Sequence, residues 1–426
     1  MKERKFWNEE IETMPPEKLR DLQEVKLQSA VEWAYRKTKF YRDLFDQGGV
    51  KPEDISSLED VHKLPFTTDI EVAADIPLKD RLAIPEDEIK MFHSTSGTVG
   101  AVVPIPFSQK DMDLFLKEAE SRGRWTMGIR PWDVVQVLTR FDCCFLGYKE
   151  LGASLVLLSA GRYNTDLQIR MTKDAGVTVI EHMPSFLLQY FERMEELGIL
   201  VKETKLRMVS GVGEGWADSY KKKIERRYGI PFMTLYGAAE ISPFFAAECE
   251  ARKGMHINTD MGFLEVVDPD TGTPLPPGEE GELVVTLFQR EAMPLIRYRG
   301  GDVGCILPYE PCSCGRTMPK ISYVKGRVSQ IMKISGKRVL PIDVEEIVAR
   351  FEDLENEFRI VCEKPEMEAL KARIEVKKGV RGLKTLKAKI EEALFQELGT
   401  DAEVELVPKG TLGRVSFKAQ RIERLY

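Results

Sequence analysis

Val177-Thr178-Val179-Ile180, then Pro184-Ser185-Phe186-Leu187-Leu188 opening a run to Gly198, then Leu206-Arg207-Met208-Val209: this stretch decides the fold class. Short runs rich in β-branched and aliphatic residues are the length of buried strands. The stretch between them carries apolar side chains at helical spacing behind a proline, which suits the first turn of a helix. Strand, helix, strand is a crossover unit, and crossovers join parallel strands. The alternation extends outward in both directions. Val134-Val135-Gln136-Val137-Leu138 and Leu155-Val156-Leu157-Leu158 precede it, and a charged helix at 217–228 leads to Phe232-Met233-Thr234-Leu235. A mainly parallel sheet covered by helices is expected.

Beyond this block the pattern changes. From Pro16 to about Thr38 the apolar residues Leu19, Leu22, Val25, Ala30, Val31 and Ala34 recur at helical spacing, so a long N-terminal helix is expected. After Gly237, Phe263-Leu264-Glu265-Val266-Val267 runs into the turn Asp268-Pro269-Asp270-Thr271-Gly272, and Glu282-Leu283-Val284-Val285-Thr286 follows; this is hairpin sequence. Past Gly326 the order reads strand, helix (342–351), strand (358–363), strand (370–376), helix (384–398), strand (402–407). The expected class is α/β: a large N-terminal domain, 1–326, with a β-rich subdomain at about 240–326, and a small α+β domain, 327–426. The boundary is placed at 324–330.

Composition narrows the partners. The chain has 426 residues, 43% hydrophobic and 31% charged, with a net charge of −7. That is an ordinary globular balance without a basic footprint for nucleic acid or anionic membrane. No window approaches the ~20 apolar residues of a membrane span. Met1-Lys2-Glu3-Arg4-Lys5 leads into Glu-rich sequence, not an apolar leader. Seven cysteines over this length fit reduced thiols in the cytoplasm, with metal ligation as a further use.

Phe92-His93-Ser94-Thr95-Ser96-Gly97-Thr98-Val99-Gly100 is a small, hydroxyl-rich loop whose backbone N–H groups suit polyphosphate. It is not a Walker A loop, since no Gly-Lys-Ser/Thr follows. Alone it reads as a solvated turn. Its weight comes from Tyr236-Gly237-Ala238-Ala239-Glu240, Arg297-Tyr298-Arg299-Gly300-Gly301-Asp302, Gly326-Arg327 and Lys418. Each also has a bland reading. Glu240 fits the first turn of a helix, Asp302 fits a turn, and Lys418, among Lys409, Arg414, Arg421 and Arg424, fits a solvated charge.

In order and spacing these motifs resemble the adenylate-forming enzymes, most closely the phenylacetate–coenzyme A ligase branch. The resemblance covers essentially the whole chain. It includes Tyr41-Arg42-Asp43-Leu44-Phe45, Leu64-Pro65-Phe66-Thr67-Thr68, Ala292-Met293-Pro294-Leu295-Ile296-Arg297-Tyr298-Arg299 and Cys312-Ser313-Cys314-Gly315-Arg316-Thr317. It implies an ATP-dependent ligase: a carboxylate attacks the α-phosphate of ATP, and the thiol of coenzyme A (CoA) then displaces AMP. Ser94, Thr95, Ser96, Gly97, Thr98 and Gly100 would hold the β- and γ-phosphates. Tyr236, Gly237 and Ala238 would border the nucleotide, and Glu240 would help bind Mg²⁺. Asp302 would accept hydrogen bonds from the ribose hydroxyls. Arg327 would approach the nucleotide, and Lys418 would stabilise charge on the carboxylate and α-phosphate. The acid would lie near Phe141, Gly211, Ala238 and Ala239, and CoA near Gly336. The expected partners are a small carboxylic acid, ATP and CoA, with neither nucleic acid nor membrane; a homodimer is compatible.

The chain also departs from the pattern. Where the family's loop commonly continues Thr-Thr-Gly-Lys-Pro, this chain has Thr98-Val99-Gly100-Ala101-Val102, without the lysine. Gly213-Glu214-Gly215 replaces a Gly-Glu-Pro-like stretch, and Ser329-Gln330 replaces an acidic pair at the hinge of the C-terminal domain. Val415-Ser416-Phe417 precedes the retained Lys418. Cys249, His256, Cys312 and Cys314 make a possible structural Zn²⁺ set, as in some members of the branch; otherwise they are loop residues. Cys143, Cys144, Cys305 and Cys362 read as buried thiols. An adenylyltransferase of the deazaflavin-coenzyme type, and a nucleotide binder without turnover, are the other two readings.

Overall fold

The computed structural model describes residues 4–67, 76–94, 104–138, 145–157, 165–413 and 420–426. The chain packs into two compact units: Met1–Leu157 with Met233–Tyr323, and Leu158–Phe232 with Val324–Tyr426.

In the first unit the expected N-terminal helix is present as Pro16–Lys37, followed by Lys39–Gln47. Leu27, Val31, Ala34, Tyr41 and Phe45 are buried with Phe288 and Ile296 in one apolar cluster. The β-rich region is an antiparallel sheet in which Gly262–Val267 pairs with Gly281–Leu287, and that strand with Tyr298–Gly304. A second antiparallel set runs from Phe232–Ala238 through Ser242–Glu248 and Met255–Ile257 to Lys320–Ile321. The strands Val134–Val137 and Ser154–Leu157 pair in parallel.

In the second unit, Val179–His182 and Met208–Gly211 are parallel neighbours joined through the helix Pro184–Glu196, which is the crossover the sequence predicts. Both strands begin two residues later than the apolar runs suggest. Val177 and Leu206 are both buried outside the strands they precede, so burial and strand pairing start at different residues. The C-terminal part places Leu354–Cys362 and Leu370–Val376 antiparallel, with Ala402–Pro408 and Ile422–Arg424 parallel at either side. The helices Pro341–Val348 and Leu383–Leu398 cover a core that includes Val344, Phe358, Ile374, Ile390 and Leu394. Among the described residues, no helix is long and apolar enough to cross a membrane.

Candidate active site and metal centre

Phe232–Ala238 and Ser242–Glu248 are joined by the turn 239–241, and Glu240 sits on it. Glu240 therefore belongs to a β-hairpin, not to the helix start that its position after a strand allows. The bend needs glycine at 237. A Cβ there would lie 2.2 Å from the Pro243 carbonyl oxygen and 2.4 Å from that of Ser242. Backbone cannot retreat from such contacts, and the ladder shifts register between Tyr236 and Ala238.

From this hairpin, the Tyr236 hydroxyl donates to Asp302 Oδ2 at 3.2 Å. Asp302 lies in the strand Tyr298–Gly304, so two sheets meet through this bond. A hydroxyl bond of this kind fixes the plane of a carboxylate whose two oxygens suit a pair of vicinal hydroxyls. Glu240 itself lines a small cavity of about 30 Å³ with Tyr41, Thr67, Arg81, Ile105 and Tyr298 among its walls. Ile105 is on the strand Pro104–Phe107, which pairs with Met91–Ser94. These two strands are the stems on either side of the Ser/Thr/Gly loop. Ser94 is the last residue of the first stem. Thr95, Ser96, Gly97, Thr98 and Gly100, together with Phe141, Cys143, Cys144 and Lys418, lie outside the described residues.

The neighbouring motifs act as scaffold. The Ile296 N–H donates to the Tyr41 hydroxyl at 2.9 Å, and the Thr67 hydroxyl donates to the Ile296 carbonyl at 2.6 Å. Arg297, at a φ of 45°, pairs with Glu265 at 2.9 Å and donates to the Leu64 carbonyl at 2.7 Å. Arg297 is thus consumed internally, and so orients the chain that carries Asp302.

Gly211, Arg327 and Gly336 belong to the second unit. Gly211 ends the strand Met208–Gly211, and a Cβ there would lie 2.5 Å from the Phe232 ring. Arg327 is exposed, with its N–H donating to Gln330 Oε1 at 2.9 Å. Gly336, at a φ of 73°, follows Ser335, at a φ of 48°, in the turn between Met332–Ile334 and Lys337–Val339. Two left-handed residues in a two-residue hairpin turn are a structural reason for glycine at 336. Ala238 and Ala239 are half-buried in the first unit.

Cys249, His256, Cys312 and Cys314 converge, with their ligand atoms all within 4.8 Å of one another. Cys249 Sγ is 3.6 Å from Cys312 Sγ, and Cys314 Sγ is 3.4 Å from His256 Nε2. Zn–S bonds of about 2.3 Å put tetrahedral ligand atoms about 3.7 Å apart, so these separations suit one ion. His256 Nδ1 lies 2.8 Å from the Met318 carbonyl. Donating there leaves the Nε2 lone pair for the thiol cluster. Contact with Cys249 pulls the Cys314 thiol below its ordinary value and pushes Cys249 up. Cys305 and Cys362 are buried elsewhere.

Sequence reading missed two buried cations beside Glu240. Arg81 is 7% exposed and Arg290 2%. In sequence they stand in Lys79-Asp80-Arg81 and Gln289-Arg290-Glu291, which read as solvated charge runs, so no signal marked them.

The chain belongs to the AMP-binding, adenylate-forming enzymes. The AMP-binding enzyme model matches residues 50–287, and the AMP-binding enzyme C-terminal domain matches 336–424. It is 32% identical to a phenylacetate–coenzyme A ligase of Thermus thermophilus, over 93% of this chain and 87% of the relative. It is 30% identical to the Escherichia coli phenylacetate–coenzyme A ligase, over 97% and 96%. Among solved structures, a 2-hydroxyisobutyryl-CoA ligase in the postadenylation state with 2-HIB-AMP matches with a TM-score of 0.92 at 26% identity, over 100% of this chain and 93% of the other. The chain is accordingly placed on the phenylacetate–coenzyme A ligase branch, as an AMP-forming acid–CoA ligase that works through an acyl-adenylate.

Proposed function

We propose that this ligase activates an aryl or arylacetic acid such as phenylacetate and transfers it to CoA. The observation that carries the nucleotide half is the Tyr236–Asp302 bond. The acid half rests on relatives named for phenylacetate that match nearly the whole chain.

A carboxylate oxygen of the acid attacks the α-phosphorus. The bond from that phosphorus to the bridging oxygen breaks, and pyrophosphate leaves with the electron pair. The CoA sulfur then attacks the acyl carbon, and AMP leaves. Asp302 takes the ribose hydroxyls. Glu240 would help hold Mg²⁺, whose chemistry there would be charge neutralisation at the phosphates, a role that suits oxygen ligands. Ser94, Thr95, Ser96, Gly97, Thr98 and Gly100 hold the β- and γ-phosphates, and Tyr236, Gly237 and Ala238 border the nucleotide. Lys418 stabilises the charge that builds during attack. Arg327 borders the nucleotide, Gly336 the CoA, and Phe141, Gly211, Ala238 and Ala239 the acid. Residues 327–426 act as the domain that turns between the two half-reactions, with Ser329 in its hinge. Cys249, His256, Cys312 and Cys314 hold a structural Zn²⁺, supported by their donor set and spacing.

The test is pyrophosphate release across an acid panel, with and without CoA. Phenylacetate should support release, and CoA should convert the adenylate to a thioester. Release with 2-hydroxyisobutyrate but no aromatic acid would transfer the assignment to short hydroxy acids, the substrate class of the structural neighbour. Release with no thioester at any CoA concentration would favour an adenylyltransferase.

A further inference from the structure

Within the second unit, residues 327–426 carry a core of their own. Among the described residues, the apolar cluster around Val344, Phe358, Ile374, Ile390 and Leu394 runs only from Met332 to Ile422. This part meets the helix Asp218–Tyr228 through polar groups. The Glu346 carboxylate accepts from the Asp218 N–H and, at 3.1 Å, from the Ser219 N–H. The Ser219 hydroxyl donates to the Glu346 carbonyl at 3.2 Å, and Lys223 Nζ donates to Asn356 Oδ1 at 3.4 Å. The loop before the helix also touches the chain just ahead of residue 327. A Cβ on Gly215 would lie 2.6 Å from the Val324 carbonyl oxygen.

Two neighbouring acids divide the work. Glu345 accepts from the Ala217 N–H at 3.5 Å, but it is also bonded at 2.7 Å to Arg421, which belongs to its own part of the chain. Glu345 therefore stays compensated wherever that part sits. Glu346 instead bonds across, to the first-turn amides of a helix whose N-cap, Ala217, offers no side-chain acceptor. The helix dipole favours a carboxylate at that end. Amides and carboxylates that part are taken up by water at small net cost, whereas a buried apolar core has no such substitute. A contact of this kind can open while the core beneath it stays intact. Resting on the ligase reading above, in which residues 327–426 turn between the half-reactions, we propose that Glu346 is a positioning residue. Its carboxylate latches the C-terminal domain to the helix Asp218–Tyr228, and release of that latch sets the balance between adenylate formation and thioester formation.

The test measures both half-reactions in the full chain and in Glu346→Ala, Glu346→Gln and Asp218→Pro. Pyrophosphate release without CoA reads the first, and thioester formation from supplied phenylacetyl-adenylate and CoA reads the second. Asp218→Pro breaks the latch from the other side. Proline is tolerated at the first helical position, and Ala217 before it is already extended. Glu346→Ala and Asp218→Pro should shift the ratio of the two rates in the same direction, on the order of tenfold, the worth of one charged hydrogen bond. The half-reaction that falls is the one the latched arrangement serves, and Glu346→Gln should lie between. Glu397→Ala, in an exposed pair with Arg350 on the same domain, should leave the ratio unchanged. Amide exchange at residues 218 and 219 should quicken in Glu346→Ala. Quicker exchange with an unmoved ratio makes Glu346 a helix cap alone and overturns the proposal, as does parallel loss of both half-reactions. If the alanine variant does not fold, Glu346→Gln and Asp218→Pro carry the same comparison. An active parent whose ratio no variant moves removes only the latch. A parent that releases no pyrophosphate with any acid removes the ligase reading, and the latch with it.

Discussion

Asp302 and Arg421 are both charged residues near family motifs, and their surroundings give them different work. Asp302 accepts from Tyr236 at 3.2 Å. Asp302→Ala should weaken ATP by roughly 1.5–3 kcal/mol for each ribose bond to the charged acceptor, read by titration. Tyr236→Phe, which leaves the carboxylate but frees its plane, should cost about 1 kcal/mol. ATP affinity untouched by both changes would place the nucleotide elsewhere. Arg421 is one of several basic residues around Lys418, and nothing in the sequence marks it as buried. Its guanidinium bonds Glu345 at 2.7 Å and Glu357 at 3.2 Å, and lies 4.4 Å from the centre of the Phe358 ring. Burial raises the Glu345 carboxyl, and Arg421 opposes the shift. Arg421→Ala strands two largely buried carboxylates, so a loss of about 3–5 kcal/mol is expected in denaturant unfolding. A loss below about 1 kcal/mol, the range of an exposed pair, would show the network to be open to water.

At the scale of elements, the site depends on turns that have no freedom to change. Gly237 lets the hairpin Phe232–Ala238 and Ser242–Glu248 close so that Tyr236 and Glu240 face neighbouring work. The second unit uses a different device. The Glu346 carboxylate accepts from the Asp218 N–H and from the Ser219 N–H at 3.1 Å. It thereby satisfies the first turn of the helix Asp218–Tyr228, whose own N-cap, Ala217, has no side-chain acceptor. The cysteine cluster joins strand to loop: Cys249 follows Ser242–Glu248, His256 lies on Met255–Ile257, and Cys312 and Cys314 come from the stretch before Lys320–Ile321. Zinc there would tie these pieces together. Purified protein should carry about one Zn²⁺ per chain, and Cys312→Ser should lower metal content and melting temperature together. Protein prepared without chelators and free of zinc by elemental analysis would end this assignment and leave the ligase chemistry untouched.

For the whole molecule, one buried phenol offers a check on how the first unit holds together. Burial raises Tyr41 from 10.0 to about 12, against the lowering effect of its bond to Thr67. The unfolded chain releases this proton near its ordinary value while the folded chain keeps it. The stability contribution is thus complete below pH 10 and lost as pH rises through about 12. Tyr41→Phe should destabilise at neutral pH by about 1–3 kcal/mol, since the Ile296 N–H loses its acceptor. The gap to the parent should then narrow between pH 10 and 12. A gap that stays constant across that window would mean the phenol titrates normally. Strands and helices of both units were legible because burial on one face leaves a period in the sequence, as in Val179–His182, Pro184–Glu196 and Met208–Gly211. The backbone constraint at Gly237 was legible too, since the hairpin that carries Glu240 has no room for a Cβ there. What the sequence by itself determined was therefore the elements, their alternation and the class of chemistry. Only the tertiary structure decided which charges are buried: Arg81 and Arg421 look like their solvated neighbours because period and composition record which residue is present, while desolvation depends on what the rest of the chain packs around it.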